Sequence, residues 1–294
     1  MRIAHIIITH KNPSQLERIL RKMQHPQFDF YIHVDKKVDI EDFRYLTEIS
    51  GVKLIKNRLN CNWGGYSTLQ AMVSSLKEVI LSGVNYGFYN LLSGQDYPLK
   101  TNEEIYSFLT QNAGKSFIYY ETENTEWWDN AVHRFQRYHL TDFNFKGKTF
   151  IEGLINKLLP IRKFPFAMKL YGGCKSSWWT LNKEGAIYVA TFFVNETRMN
   201  KFLKFCWGTD EFIIPTILLN SPLKDNIIND NLRYIEFPEG MANPKILGVE
   251  DMEKMRSSNM LFARKFDTAI SSDVLDALDA SMPSLISKVP TGKR

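Results

Sequence analysis

The chain has no Asp-x-Asp, the usual carboxylate pair for holding Mg²⁺ or Mn²⁺ on a diphosphate. It also lacks a Walker loop and a Gly-x-Gly-x-x-Gly after a candidate strand, the common backbone cradles for triphosphates and dinucleotides. No Ser, His and Asp order stands out for nucleophilic hydrolysis. Cysteine is scarce: Cys61, Cys174 and Cys206 are odd in number and widely spaced, which argues against a disulfide framework and a thiolate metal site. They are expected to be reduced, buried thiols in a reducing compartment. No apolar run reaches about 18 residues, so no membrane span is expected. The opening run, Met1 to His10, is too short for a signal peptide and reads as a buried first strand. Repeats, linkers and low-complexity segments are missing, so one domain over residues 1–294 is the simplest organisation.

What is present is an ordinary globular composition, with 44% hydrophobic, 23% charged and 13% aromatic residues. The net charge of +5 is spread thinly. It suits an anionic ligand such as a nucleotide and does not mark a nucleic-acid binder. Asn12-Pro13-Ser14-Gln15 reads as a helix start, with Asn12 as cap and Gln15 closing a capping box. Strands are expected at Phe28 to Val34, Val52 to Lys56, Tyr86 to Leu92, Ser116 to Tyr120, Trp178 to Leu181, Arg233 to Phe237 and Leu261 to Phe266. Helices are expected at Tyr66 to Leu81, Asn102 to Thr110, Lys183 to Val194, Phe212 to Leu219, Glu250 to Ser257 and Ser272 to Met282. Thr122 to Gly173 reads as irregular and aromatic. The alternation predicts an α/β fold with a mostly parallel central sheet flanked by helices.

Ligands of open α/β sheets bind outside the carboxyl ends of strands, where His10, Asp35 and Asp96 are expected. Trp207-Gly208-Thr209-Asp210-Glu211 precedes an apolar helix, with Thr209 as its cap and two acids favoured by the helix dipole. The chemical reading is a carboxylate base beside a cleft; the plain one is a capped helix. Asp35 and Asp96 could equally be turn formers, His10 and His33 satisfied structural histidines, and the C-terminal cations surface charge. Strand alternation puts Trp178 and Trp179 on opposite faces, so at most one lines a cleft, and it separates Arg264 from Lys265 in the same way.

The chain resembles the core-2/I-branching β-1,6-N-acetylglucosaminyltransferase family, which includes the peptide O-xylosyltransferases. The resemblance rests on motifs in family order from about residue 3 to 270: Ile8-Thr9-His10-Lys11, Tyr31-Ile32-His33-Val34-Asp35-Lys36-Lys37, Trp63-Gly64-Gly65-Tyr66-Ser67, Leu92-Ser93-Gly94-Gln95-Asp96-Tyr97-Pro98, Gly172-Gly173, Ser177-Trp178-Trp179, Asp210-Glu211, Asn243-Pro244-Lys245 and Phe262-Ala263-Arg264-Lys265-Phe266-Asp267. It implies a GT-A-like fold, a UDP-sugar donor, inversion at the anomeric carbon and no divalent metal or other cofactor. Glu211 matches the family's catalytic base. The implied donor set is His10, Asp35, Trp63, Asp96, Lys245, Arg264 and Lys265, with Lys265 and Lys245 on the diphosphate and Asp35 on uridine. The implied acceptor set is Glu121, Arg134, Arg137, Trp178 and Trp207.

These implications divide the domain into a UDP-sugar half, about 1–120, an acceptor and catalytic half, about 121–285, and a disordered tail, 286–294. Animal members carry a membrane anchor and paired cysteines that this chain does not show. A bacterial, cytoplasmic relative is therefore expected, at most peripheral to the inner membrane. Its acceptor would be a glycan or lipid-linked saccharide. Trp63-Gly64-Gly65 leans to the xylosyltransferase branch and Asp210-Glu211 to the branching enzymes, so GlcNAc and xylose both remain as donor sugars. The alternatives are a catalytically inactive glycan-binding relative and an unrelated nucleotide-binding α/β hydrolase.

Overall fold

The computed structural model describes residues 1–241 and 243–282; the expected tail 286–294 lies outside the described residues. Among the described residues the strands are β1 Arg2–Thr9, β2 Phe28–Val34, β3 Val52–Leu54, β4 Tyr86–Ser93, β5 Asp96–Pro98, β6 Ser116–Ile118, β7 Glu121–Thr122, β8 Tyr171–Gly172, β9 Trp179–Asn182, β10 Ile227–Ile228, β11 Arg233–Ile235 and β12 Phe262–Arg264. The main sheet has seven strands in the order β10-β6-β9-β4-β1-β2-β3. It is parallel except at β9, which runs against both neighbours. The expected α/β architecture, a mostly parallel sheet flanked by helices, is present.

β1 and β2 are near-continuous apolar runs because both sheet faces are covered. Ile3, Ile7, Phe30 and Ile32 point to one core, which Leu16, Ile19 and Leu20 of helix Pro13–Lys22 complete. Ala4, Ile6 and Tyr31 point to the other, filled by Leu69, Met72 and Leu76 of helix Tyr66–Ile80 and by Val189 of helix Lys183–Asn195. A small second sheet, β11-β12-β5, abuts the main one. The buried Arg233 joins the two, donating to the Leu91 carbonyl at 2.8 Å and to Thr180 Oγ1 at 3.0 Å. The chain leaves β1 toward β2 on one side and reaches β4 on the other. This strand-order reversal opens a crevice at the carboxyl ends.

Three local expectations fail for physical reasons. Asn12 does not cap its helix; its side chain donates to Asp267 Oδ1 at 3.1 Å, and Gln15 closes no capping box. Gln15 instead donates to the Gly94 and Phe266 carbonyls and accepts from Thr268 N–H, so tertiary loop contacts take the groups that a local cap would use. Thr209 does not cap either. It lies in a short 3₁₀ turn, Thr209–Glu211, with its hydroxyl buried and unbonded among the described residues, and helix Ile213–Leu219 starts later. The stretch expected to be irregular holds an eleven-residue helix, Lys148–Leu158, and shorter helical turns at Glu126–Ala131 and His133–Gln136.

Candidate active site

A cleft of about 650 Å³ opens at the carboxyl ends of β1, β2 and β4. Its lining includes His10, Asp35, Trp63, Trp178, Glu211, Arg264 and Lys265, which the sequence scatters over more than 250 residues. At the β2 end, Asp35 accepts the backbone N–H of Lys37 at 2.9 Å and that of Cys61 at 3.2 Å. It is 4% exposed, with its carboxylate fixed at the cleft surface. Trp63 is 65% exposed, an aromatic face offered to solvent across the opening.

The wall carrying Glu211 is assembled from distant glycine motifs. Gly64 has φ near +70°, and a Cβ there would lie 2.2 Å from the Trp207 indole nitrogen. Gly208 N–H donates to the Gly64 carbonyl at 2.7 Å. The Trp63-Gly64-Gly65 loop and the Trp207–Glu211 turn therefore form one surface, with Trp63 packed edge-on to Trp207 at 5.3 Å. On the far side Gly173 N–H donates to the Glu211 carbonyl at 3.0 Å. A Cβ on Gly172 would come within 2.8 Å of that same carbonyl oxygen. The Gly172-Gly173 pair lets β8 lie flush against the turn and fixes the direction of Glu211.

Glu211 pairs with Arg134, whose guanidinium lies between the Trp207 ring at 4.4 Å and the Trp127 ring at 5.0 Å. Burial pushes the Glu211 carboxyl up to about 7; the Arg134 charge pulls it down and Asp210 pushes it up further. Asp210, also in the cleft wall, accepts from Ser177 Oγ at 2.7 Å, and burial raises its carboxyl above the usual range. The site thus holds a carboxyl group able to take a proton near neutral pH.

Positive charge gathers along the β12 edge. Arg264 stacks on Trp178 at 4.0 Å and stands 3.4 Å from Asp96. Lys265 reaches the cleft as well, its ammonium destabilised first by burial and then by Arg264 and Lys11. Alternation was expected to separate these two cations. β12 ends at Arg264, so the strand period does not extend to Lys265, and both line the cleft.

Other expected residues stand elsewhere. Lys245 turns to Asp251 at 2.7 Å and Glu250 at 3.4 Å, away from the cleft lining formed by its neighbours Asn243 and Pro244. Asp96 is buried behind the wall and accepts Ser93 N–H and Oγ–H, both at 2.9 Å. Glu121 accepts from the Tyr119 hydroxyl at 3.0 Å, and Arg137 is exposed; neither lines the cleft. Trp207 backs the wall beneath Trp63, while Trp179 is buried in the core, as alternation from Trp178 requires. Only Cys206 of the three thiols is fully buried; Cys61 and Cys174 line the cleft. Gln95, from the Gln95-Asp96-Tyr97-Pro98 turn expected to shape the donor sugar pocket, lines it, and so do Lys37 and Ser177, which the sequence reading does not single out. Lys37 and Ser177 fall inside motifs already noted, but residue type alone gives no reason to choose them. Among the described residues, no group of three or more His, Cys, Asp and Glu is arranged to hold a metal ion.

A family model described as Core-2/I-Branching enzyme matches residues 3–260. Xylosyltransferase 2 of Mus musculus is 27% identical over 308 residues, an alignment covering 95% of this chain and 33% of that protein. Xylosyltransferase 1 of Homo sapiens is 26% identical over 303 residues, covering 95% and 30%. The chain spans about a third of the length of these curated relatives. The apo structure of mouse xyloside xylosyltransferase 1 aligns with a TM-score of 0.41 at 9% identity, covering 89% of this chain and 97% of that one, a likeness too remote to carry any argument.

Proposed function

The chain belongs to the Core-2/I-branching enzyme family, and from that premise we propose that it transfers a sugar from a UDP-sugar to a hydroxyl of a glycan, with inversion and without a divalent metal. The observation that carries this reading is Glu211 at the cleft surface, its carboxyl raised by burial to about 7. An inverting transfer needs one base to take the acceptor hydroxyl proton as that oxygen attacks the anomeric carbon, and such assistance is worth ~10²–10⁴ in rate. Glu211 is that base. Arg134 and the Gly172-Gly173 contact hold it in place.

The leaving UDP gathers negative charge as the glycosidic bond breaks. Arg264, buried against Trp178, and the half-buried Lys265 are the cations that meet it, and Arg264 needs little reorganisation. Asp35 takes the uridine end, with its backbone partners fixing its orientation. Trp63 and Trp178 supply faces for sugar rings. The relatives named as xylosyltransferases make UDP-xylose the first donor to try, and UDP-GlcNAc the second.

The test is a thermal-shift screen against a panel of UDP-sugars, followed by UDP release with and without glycan acceptors. A donor at ~100 times its dissociation constant should add ~2.7 kcal/mol of stability. Binding without acceptor-dependent release would leave a glycan-binding relative as the answer. Binding of no UDP-sugar would overturn the proposal.

A further inference from the structure

The helix Lys148–Leu158 is built inside out. Its polar side faces the protein: Glu152 accepts Leu140 N–H at 2.7 Å, and Asn156 accepts Tyr138 N–H at 2.8 Å while donating to the Tyr138 carbonyl at 2.7 Å. Its apolar side faces out. No residue of the helix is buried; Phe150 is 77% exposed and Leu158 70%, with Ile151 and Leu154 exposed between them. Phe145, Leu159 and Ile161 extend the patch past both helix ends. Exposed Leu81 and Ile270 stand singly elsewhere in the chain, which is ordinary; a contiguous stripe marks an interaction surface.

Charge decides what covers it. Residues 145–163 contain Lys146, Lys148, Lys157, Arg162 and Lys163, and a single acid, Glu152, which faces inward. Lys146, Lys157 and Lys163 are exposed beside the apolar stripe. A second copy of the same face would bring like charges together. An anionic lipid surface meets both demands at once, since apolar side chains enter the acyl boundary while lysines reach the headgroups. At about 16 Å the helix is too short to span a bilayer and suits a position in its plane.

We propose that this face docks the protein on an anionic phospholipid membrane. Docking would place the catalytic wall near the bilayer, because the chain runs directly from Arg134 through Tyr138 and Leu140 to the helix. It would hold whichever sugar the cleft takes.

Flotation of the full chain with phosphatidylcholine vesicles, with and without phosphatidylglycerol, tests it. Binding is expected only with phosphatidylglycerol and should weaken as salt rises. Phe150→Ser, Leu154→Ser and Leu158→Ser combined should abolish flotation and leave the melting temperature and UDP release as in the parent, since none of the three touches the cleft. Lys157→Ala should weaken binding about fivefold, the effect of one lysine near an anionic surface. Equal binding to both vesicle types, no binding to either, or flotation unchanged in the triple variant would overturn the proposal. So would a dimer by sedimentation equilibrium that the triple variant converts to monomer.

Discussion

At one end of the cleft Asp35 accepts two backbone N–H groups, from Lys37 and Cys61; at the other, Glu211 accepts no backbone donor among the described residues and is held by Arg134. Both carboxylates line the same cavity. The first is held in one orientation by those two bonds. The second is half-buried in a wall where burial makes its charged form costly, which suits a group that gains and loses a proton. On the proposed function, the difference separates a binding end from a reacting end, and each end can be damaged without the other.

The largest expected effect is at the reacting end. Glu211→Gln should lower turnover at least ~100-fold, the minimum for a general base, and leave UDP affinity nearly unchanged. Asp35→Asn should do the reverse, raising the dissociation constant for UDP about tenfold while saturated turnover changes little, as loss of uniform binding does. Turnover and isothermal titration on both variants decide it. A Glu211→Gln enzyme retaining more than about a tenth of wild-type turnover would remove Glu211 from its role.

Next come the cations. A charged hydrogen bond is worth ~1.5–3 kcal/mol, so Lys265→Ala should cost about ten- to a hundredfold in transfer, with a smaller loss of UDP affinity. Rate should suffer more because the leaving group is most negative in the transition state. Lys245→Ala is the control. Its ammonium is committed to Asp251 and Glu250, so UDP titration should barely change. A larger loss from Lys245→Ala than from Lys265→Ala would mean the loop around Asn243 rearranges on binding.

The pH profile sharpens the contrast further. With the Glu211 carboxyl near 7, activity should rise with pH and level off above about 7, as the base form fills. Arg134 lowers that value both by charge and by hydrogen bond. Arg134→Met should therefore move the rising limb to higher pH, measured as kcat/KM against pH. The linkage has a definite sign: a carboxyl raised above its unfolded value of about 4.3 binds an extra proton in the native state between there and about 7, so this group's contribution to stability falls as pH rises through that window. A rising limb that stays in place in Arg134→Met would assign the ionisation to another group.

The binding end was the more legible in the sequence. Apolar runs gave the parallel strands, and the rule that ligands sit at strand ends put His10 and Asp35 at the cleft. Glu211 was legible as a residue but not in its setting. The hydroxyl of its expected cap, Thr209, is unbonded among the described residues, and the turn is held by Gly64, Gly172, Gly173 and Arg134 from remote segments, contacts that no local pattern encodes. The same limit hid the role of Gln15 and the ion pairs of Lys245. Helix Lys148–Leu158 has Phe150, Leu154 and Leu158 at helical spacing, a pattern legible in the sequence; that this stripe faces out is not.

The smallest expected effect is none at all. On the proposed function side chains meet the charge on the departing diphosphate, so transfer should proceed unchanged in excess EDTA. Lys265 and Arg264 both line the cleft, and Arg264 is held between Trp178 and Asp96 before any ligand arrives. A cation so preorganised has no need of a soluble partner. UDP release in chelator, with and without added Mn²⁺, measures this directly. Activity lost in EDTA and restored by Mn²⁺ would show that the β12 cations do not suffice, and would move Asp210, half-buried in the cleft lining, from a structural acid to a candidate metal ligand.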